Sequence, residues 1–122
     1  MARSGRRGAN PETILTKQVR EVLNLLGVPH HKNWGGPMGE RGVCDLIGVL
    51  PPAGRALFIE LKKPGYAGVP TEEQTAFLQR RKDAGAVAFW TSSVTGVLNA
   101  LRAAGYEPAL RMRINGEPEA RA

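Results

Sequence analysis

Two runs rich in β-branched and bulky apolar residues, Val43–Leu50 and Arg55–Leu61, stand either side of Pro51-Pro52-Ala53-Gly54, and no other feature of the 122-residue chain restricts its fold as much. Proline and glycine break regular structure in the intervening segment, so the two runs are expected as antiparallel strands of one hairpin. A loop of this length pairs Leu50 with Arg55. Counting back along both strands then pairs Val49 with Ala56, Ile47 with Phe58 and Asp45 with Glu60.

Directly opposed side chains have Cβ atoms about 4.5–5.5 Å apart, where like charges destabilise a sheet unless something positive lies between them. A divalent cation removes the conflict. Two carboxylates with room for water and phosphate oxygens suit Mg²⁺, with Mn²⁺ as a substitute, better than zinc, which prefers His or Cys. Strand side chains alternate, so Lys62 shares the face of Glu60 while Leu61 turns away and offers its backbone carbonyl as a further metal ligand. A lysine beside such a pair can orient or deprotonate water and offset negative charge at phosphorus. Phosphodiester hydrolysis uses all of these parts. The plainer reading makes Asp45 a solvated strand end and Glu60, Lys62 and Lys63 an ordinary polar face; the opposed acid weighs against it.

The pattern Gly42-Val43-Cys44-Asp45-Leu46-Ile47-Gly48, then Phe58-Ile59-Glu60-Leu61-Lys62-Lys63-Pro64-Gly65, then Thr71-Glu72-Glu73-Gln74 through Phe77-Leu78 resembles a VRR-NUC domain of the PD-(D/E)XK nuclease superfamily. The similarity runs from about Pro11 to Ala104. It implies an α/β, restriction-endonuclease-like core with a central mixed sheet flanked by helices. The implied activity is that of a metal-dependent endonuclease of the compact, stand-alone viral kind, some of which cut branched DNA such as four-way (Holliday) junctions as homodimers. The resemblance carries Asp45 and Glu60 over as metal ligands, Lys62 as the catalytic lysine, Gln74 as an active-site helper and Glu12 as the acid of the first helix. Cys44 departs from the pattern, which has proline before the aspartate; the charged set stays intact, and only a small effect on the local backbone is expected.

The formal net charge of +6 and pI near 10.1 predict attraction to polyanions, because each phosphate neutralised by Lys or Arg releases condensed counterions. No apolar run approaches the roughly 18–20 residues that a spanning helix needs, which argues against a membrane. Arg3, Arg6 and Arg7 lack the apolar stretch of a secretory signal. A single cysteine excludes an internal disulfide and fits a reducing cytoplasm; Cys44 reads as a small buried hydrophobe. His30 and His31 alternate faces on a strand and receive no catalytic role.

Along the chain, residues 1–9 are expected as a disordered basic arm, 10–105 as one domain and 106–122 as a loose tail or subunit contact. Asn10-Pro11-Glu12 has the composition of a helix start, and Ile14, Leu15, Val19, Val22, Leu23 and Leu26 form one apolar face that Gly27 ends. Val28–Trp34 reads as a first strand and residues 35–39 as a glycine-rich loop. Thr71 and Gln74 have capping-box spacing, a role expected to compete with service to the metal. Ala86–Thr91 reads as a strand and Val94–Ala104 as a helix with Val97, Leu98 and Leu101 inward. The expected order is αβββαβα. Arg6, Arg7, Trp34, Lys63 and Arg81 are the candidate nucleic-acid contacts. Two rival readings are a nucleic-acid-binding module that does not cut and an assembly protein whose charge aids solubility.

Overall fold

The computed structural model describes residues 11–33, 44–65 and 68–117. Its elements are α1 (Pro11–Leu25), β1 (His30–Lys32), β2 (Leu46–Leu50), β3 (Arg55–Leu61), α2 (Glu72–Asp83), β4 (Val87–Thr91), α3 (Val94–Ala103) and α4 (Glu107–Arg111). The strands form one mixed open sheet in the order β1-β2-β3-β4, antiparallel except for the parallel β3–β4 pair. The chain is α/β, with one helix more than the expected order.

The hairpin register agrees with the count from the loop: Leu50 faces Arg55, Val49 faces Ala56 and Ile47 faces Phe58. The ladder ends at Leu46 opposite Ile59, one pair short of the acids. Alternation along β3 sends Leu57, Ile59 and Leu61 to one face, where they meet Leu15, Val19 and Leu23 of α1 and Val97, Leu98 and Leu101 of α3. Phe58 faces the other way and packs with Cys44, Phe77, Leu78 and Ala88 beneath α2. Full burial of each such Leu, Ile or Val contributes about 1.5–3 kcal/mol, so the sheet is held from both faces.

Ile14, expected inward, is 47% exposed; Leu15, Val19, Leu23 and Leu26 carry the buried stripe of α1. Gly27 ends that helix at φ +77°, a left-handed conformation that costs glycine nothing. The first strand is shorter than expected: Val28 joins the core instead, and β1 begins at His30. At Gly48 an added Cβ would lie 2.7 Å from the Pro29 carbonyl oxygen, so only glycine lets β1 and β2 approach this closely.

The expected loose tail is a correction. Tyr106 and Ala109 are buried in the main core, the Tyr106 hydroxyl donates to the Leu26 carbonyl at 3.0 Å, and Arg102 pairs with Glu117. The folded unit thus runs past residue 105 to at least Glu117. Residues 1–9 with Arg6 and Arg7, Trp34 with the 35–39 loop, and 118–122 lie outside the described residues.

Candidate functional site

Asp45 leaves the ladder as a kink. Its N–H donates to the Ile59 carbonyl at 3.0 Å on one side, while its carbonyl accepts from the Asn33 N–H at 2.7 Å on the other. An extended residue directs both groups to the same edge, so Asp45 is an extra residue of the β-bulge kind, which re-aims side chains. The neighbouring positions agree: Cys44 packs on the α2 face and Leu46 on the opposite one, although residues two apart in a regular strand share a face. The Asn33 side-chain amide also donates to the Cys44 carbonyl at 3.0 Å, which clamps the bend. Asn33 escaped the sequence analysis because its partners are a strand away.

The bulge turns the Asp45 carboxylate toward β3, where Oδ2 accepts the Leu61 N–H at 2.8 Å. The Leu61 carbonyl belongs to the same strand edge as that N–H, which keeps it a candidate ligand beside Asp45. The expected head-on pairing of Asp45 with Glu60 is therefore replaced by an offset one. The two carboxyl groups are still close enough for the Asp45 charge to act on Glu60.

Glu60 is the buried acid of the site, 3% exposed at the end of β3. Its Oε2 receives the Lys62 ammonium at 3.0 Å and the Gln74 Nε2 at 2.8 Å. Its Oε1 is buried without a hydrogen-bond partner. Burial above all, then the negative charge of Asp45, pushes the Glu60 carboxyl up to about 7, against the opposing pull of Lys62. A buried carboxylate oxygen with no donor costs free energy that a cation would recover.

Gln74 completes the capping box and also reaches Glu60. Thr71 caps α2 by accepting the Gln74 N–H at 3.1 Å, and Gln74 Oε1 accepts the Thr71 N–H at 2.9 Å. The other end of the same amide reaches Glu60. A primary amide has both an acceptor and donors, so the cap and the acid are served together.

Glu12, in the first turn of α1, lines with Asp45 and Lys32 a cavity of about 520 Å³ between α1 and the sheet edge. Among the described residues no three His, Cys, Asp or Glu side chains cluster closely enough to hold a metal ion, so Glu12 shares the cavity without completing a triad. The carboxylates of Asp45 and Glu60, close enough at this end of the sheet for the first to act on the second, are hard oxygen donors of the type that suits Mg²⁺. The buried, unpartnered Glu60 Oε1 is the observation that makes the residues fit such an ion.

Of the expected nucleic-acid contacts, Lys63 is exposed directly after the site. Arg81 is not part of the site: its guanidinium stacks over the Phe77 ring at 3.8 Å and lies 5.6 Å from the Phe58 ring, where it covers the smaller core. Trp90, unmarked in the sequence analysis, pairs in register with Glu60 on β4 and is 43% exposed. Cys44 is buried and its thiol is pushed up to about 12 by burial first, so it is no nucleophile. Comparison with protein-family models, with curated proteins and with solved structures returned no match for this chain.

Proposed function

We propose that the chain is a metal-dependent nuclease that hydrolyses DNA phosphodiester bonds, with a restriction-endonuclease-like core of the VRR-NUC type. The observation that carries this reading is Glu60: a buried acid next to Asp45, with Lys62 and Gln74 on one oxygen and nothing on the other. A purely structural ion pair has no use for the second acid or for an oxygen left bare.

Asp45, Glu60 and the Leu61 carbonyl would hold Mg²⁺. Bound there, the ion would polarise the phosphate and make a coordinated water more acidic. Lys62 Nζ, held at 3.0 Å from Glu60, would donate to a phosphoryl oxygen and offset charge as water forms the new P–O bond and the ester P–O bond breaks, the proton that the water loses passing through solvent to the leaving ester oxygen. Gln74 positions Glu60, since its amide is itself fixed by the helix cap. Branched DNA such as a four-way junction, a homodimer that cuts paired strands, and a reducing cytoplasmic setting complete the reading; the net charge of +6 supports the polyanionic partner.

The alternative is a DNA-binding module without cleavage, favoured by the lack of a third ligating side chain among the described residues. Incubating labelled junctions, flaps and duplexes with wild type, Glu60→Gln and Lys62→Ala in Mg²⁺ or Mn²⁺ decides between them. Cleavage by wild type that both variants lose supports the nuclease. Binding without cleavage by any of the three supports the module.

A further inference from the structure

The groove between α1 and β1 leads away from Asp45 and is lined by cations that the chemistry of the site does not use. Lys17, Arg20 and Asn24 recur at three- and four-residue spacing on α1 and line the same cavity as Lys32 of β1 and Asp45. The order along the groove follows from two contacts. Arg20 Nε donates to His30 Nε2 at 3.3 Å, while the Asn33 N–H bonds the Asp45 carbonyl, so Lys32 lies between the arginine and the acid. From Lys17 to Asn24 the helix rises roughly 10 Å, enough to span two successive phosphates of an extended strand.

Arg20 is prepared for an anion. The Nδ1 of His30 lies 2.9 Å from the Val28 carbonyl, an acceptor that requires the proton on that nitrogen. Nε2 is thereby left as an acceptor, and Arg20 spends Nε on it. Arg20 lines the groove, and a guanidinium engaged through Nε keeps two terminal nitrogens in the fork geometry that suits phosphate oxygens. Glu12 and Glu21 line the same cavity and offset part of the positive charge of Lys17, Arg20 and Lys32.

We propose that this groove is a backbone rail: Lys17, Arg20 and Lys32 bind the sugar-phosphate backbone of the DNA strand whose scissile phosphate lies at Asp45 and Glu60, with His30 as the positioning residue for Arg20. The proposal rests on the nuclease reading for its direction but not for its binding test. Anisotropy of a fluorescein-labelled DNA duplex without divalent cation, titrated at several salt concentrations, measures affinity and salt slope for Lys17→Gln, Arg20→Gln and the double variant. Each lost cation is expected to lower the slope of log K against log[salt] by about one and to weaken binding at all sequences alike. His30→Phe, which removes the acceptor and no charge, is expected to weaken binding, and His30→Gln to restore it.

Lys17 is exposed on α1, so its replacement leaves the fold intact and the slope readable. An unchanged slope and affinity in the double variant overturns the rail, even if wild type cuts DNA. A lowered slope with no cleavage by wild type leaves the rail standing and removes the nuclease reading instead.

Discussion

Gln74 holds Glu60 by one end of its amide and the start of α2 by the other: Nε2 donates to Glu60 Oε2 at 2.8 Å while Oε1 accepts the Thr71 N–H at 2.9 Å. A helix cap and an acid of the site are thus one structural unit, and damage to either is felt by both.

The two ends can be separated by substitution. Gln74→Glu keeps the acceptor for the cap but sets a second carboxylate against Glu60, whereas Gln74→Ala removes both contacts. Gln74→Ala keeps the Thr71 hydroxyl on the helix N–H but loses the bonds to the Thr71 N–H and to Glu60, so it is expected to cost about 1–2 kcal/mol in acid as well as above neutral pH. Gln74→Glu is expected to match wild type in acid and to fall below it above neutral pH, where both carboxyls are charged. Thermal melts of the three proteins across that range check this.

Glu60 should leave its mark on stability as a function of pH. Its folded pKa, about 7, lies above the ordinary 4.5, so between those values the folded state binds more protons than the unfolded one. Stability contributed by the protonated form is complete below the ordinary value and is lost as pH rises through about 7. The expected loss is at most about 3 kcal/mol. Glu60→Gln, which is always neutral, should abolish that part of the slope; the difference between urea denaturation curves of wild type and variant isolates it from other groups.

Legibility differed by the range of the physics. The hairpin is readable in the sequence because alternation and loop length act within a few residues, and they put Val49 opposite Ala56 and Ile47 opposite Phe58, as the structure has them. Where the pairing extended to Asp45 it failed, since Asp45 gives its N–H to the Ile59 carbonyl of β3 while its own carbonyl is held by Asn33, a split that strand alternation does not foretell. The parallel β3–β4 pairing that sets Trp90 beside Glu60 is also non-local. Tyr106 was misjudged as part of a loose tail because a single aromatic anchor makes no periodic pattern, and its partner Leu26 lies on the far side of the sequence.

That anchor predicts where the domain can be cut. Tyr106→Phe leaves the Leu26 carbonyl without its donor and is expected to cost about 1 kcal/mol. A chain ending at Gly105 loses Tyr106, Ala109 and the Glu117 partner of Arg102, and is expected to lose cooperative unfolding in a thermal melt. A truncated chain that melts as wild type would restore the shorter boundary.

Cys44 should be chemically silent in the folded state. Buried, bonded to the Leu46 carbonyl at 3.3 Å and with its thiol pushed up to about 12, it is expected to react with maleimide only as fast as the protein opens. Labelling followed by mass spectrometry, with and without denaturant, measures this; rapid labelling of folded protein would contradict the packing under α2.

The claim on which the functional reading stands is that Asp45 and Glu60 jointly hold one divalent cation. Titration calorimetry with Mg²⁺ and Mn²⁺ on wild type, Asp45→Asn and Glu60→Gln tests it most directly. The account predicts a wild-type site that tightens as pH rises through about 7, because the ion displaces the Glu60 proton, and that either substitution abolishes. Wild type that binds no divalent cation at any pH, or variants that bind it as wild type does, would contradict it.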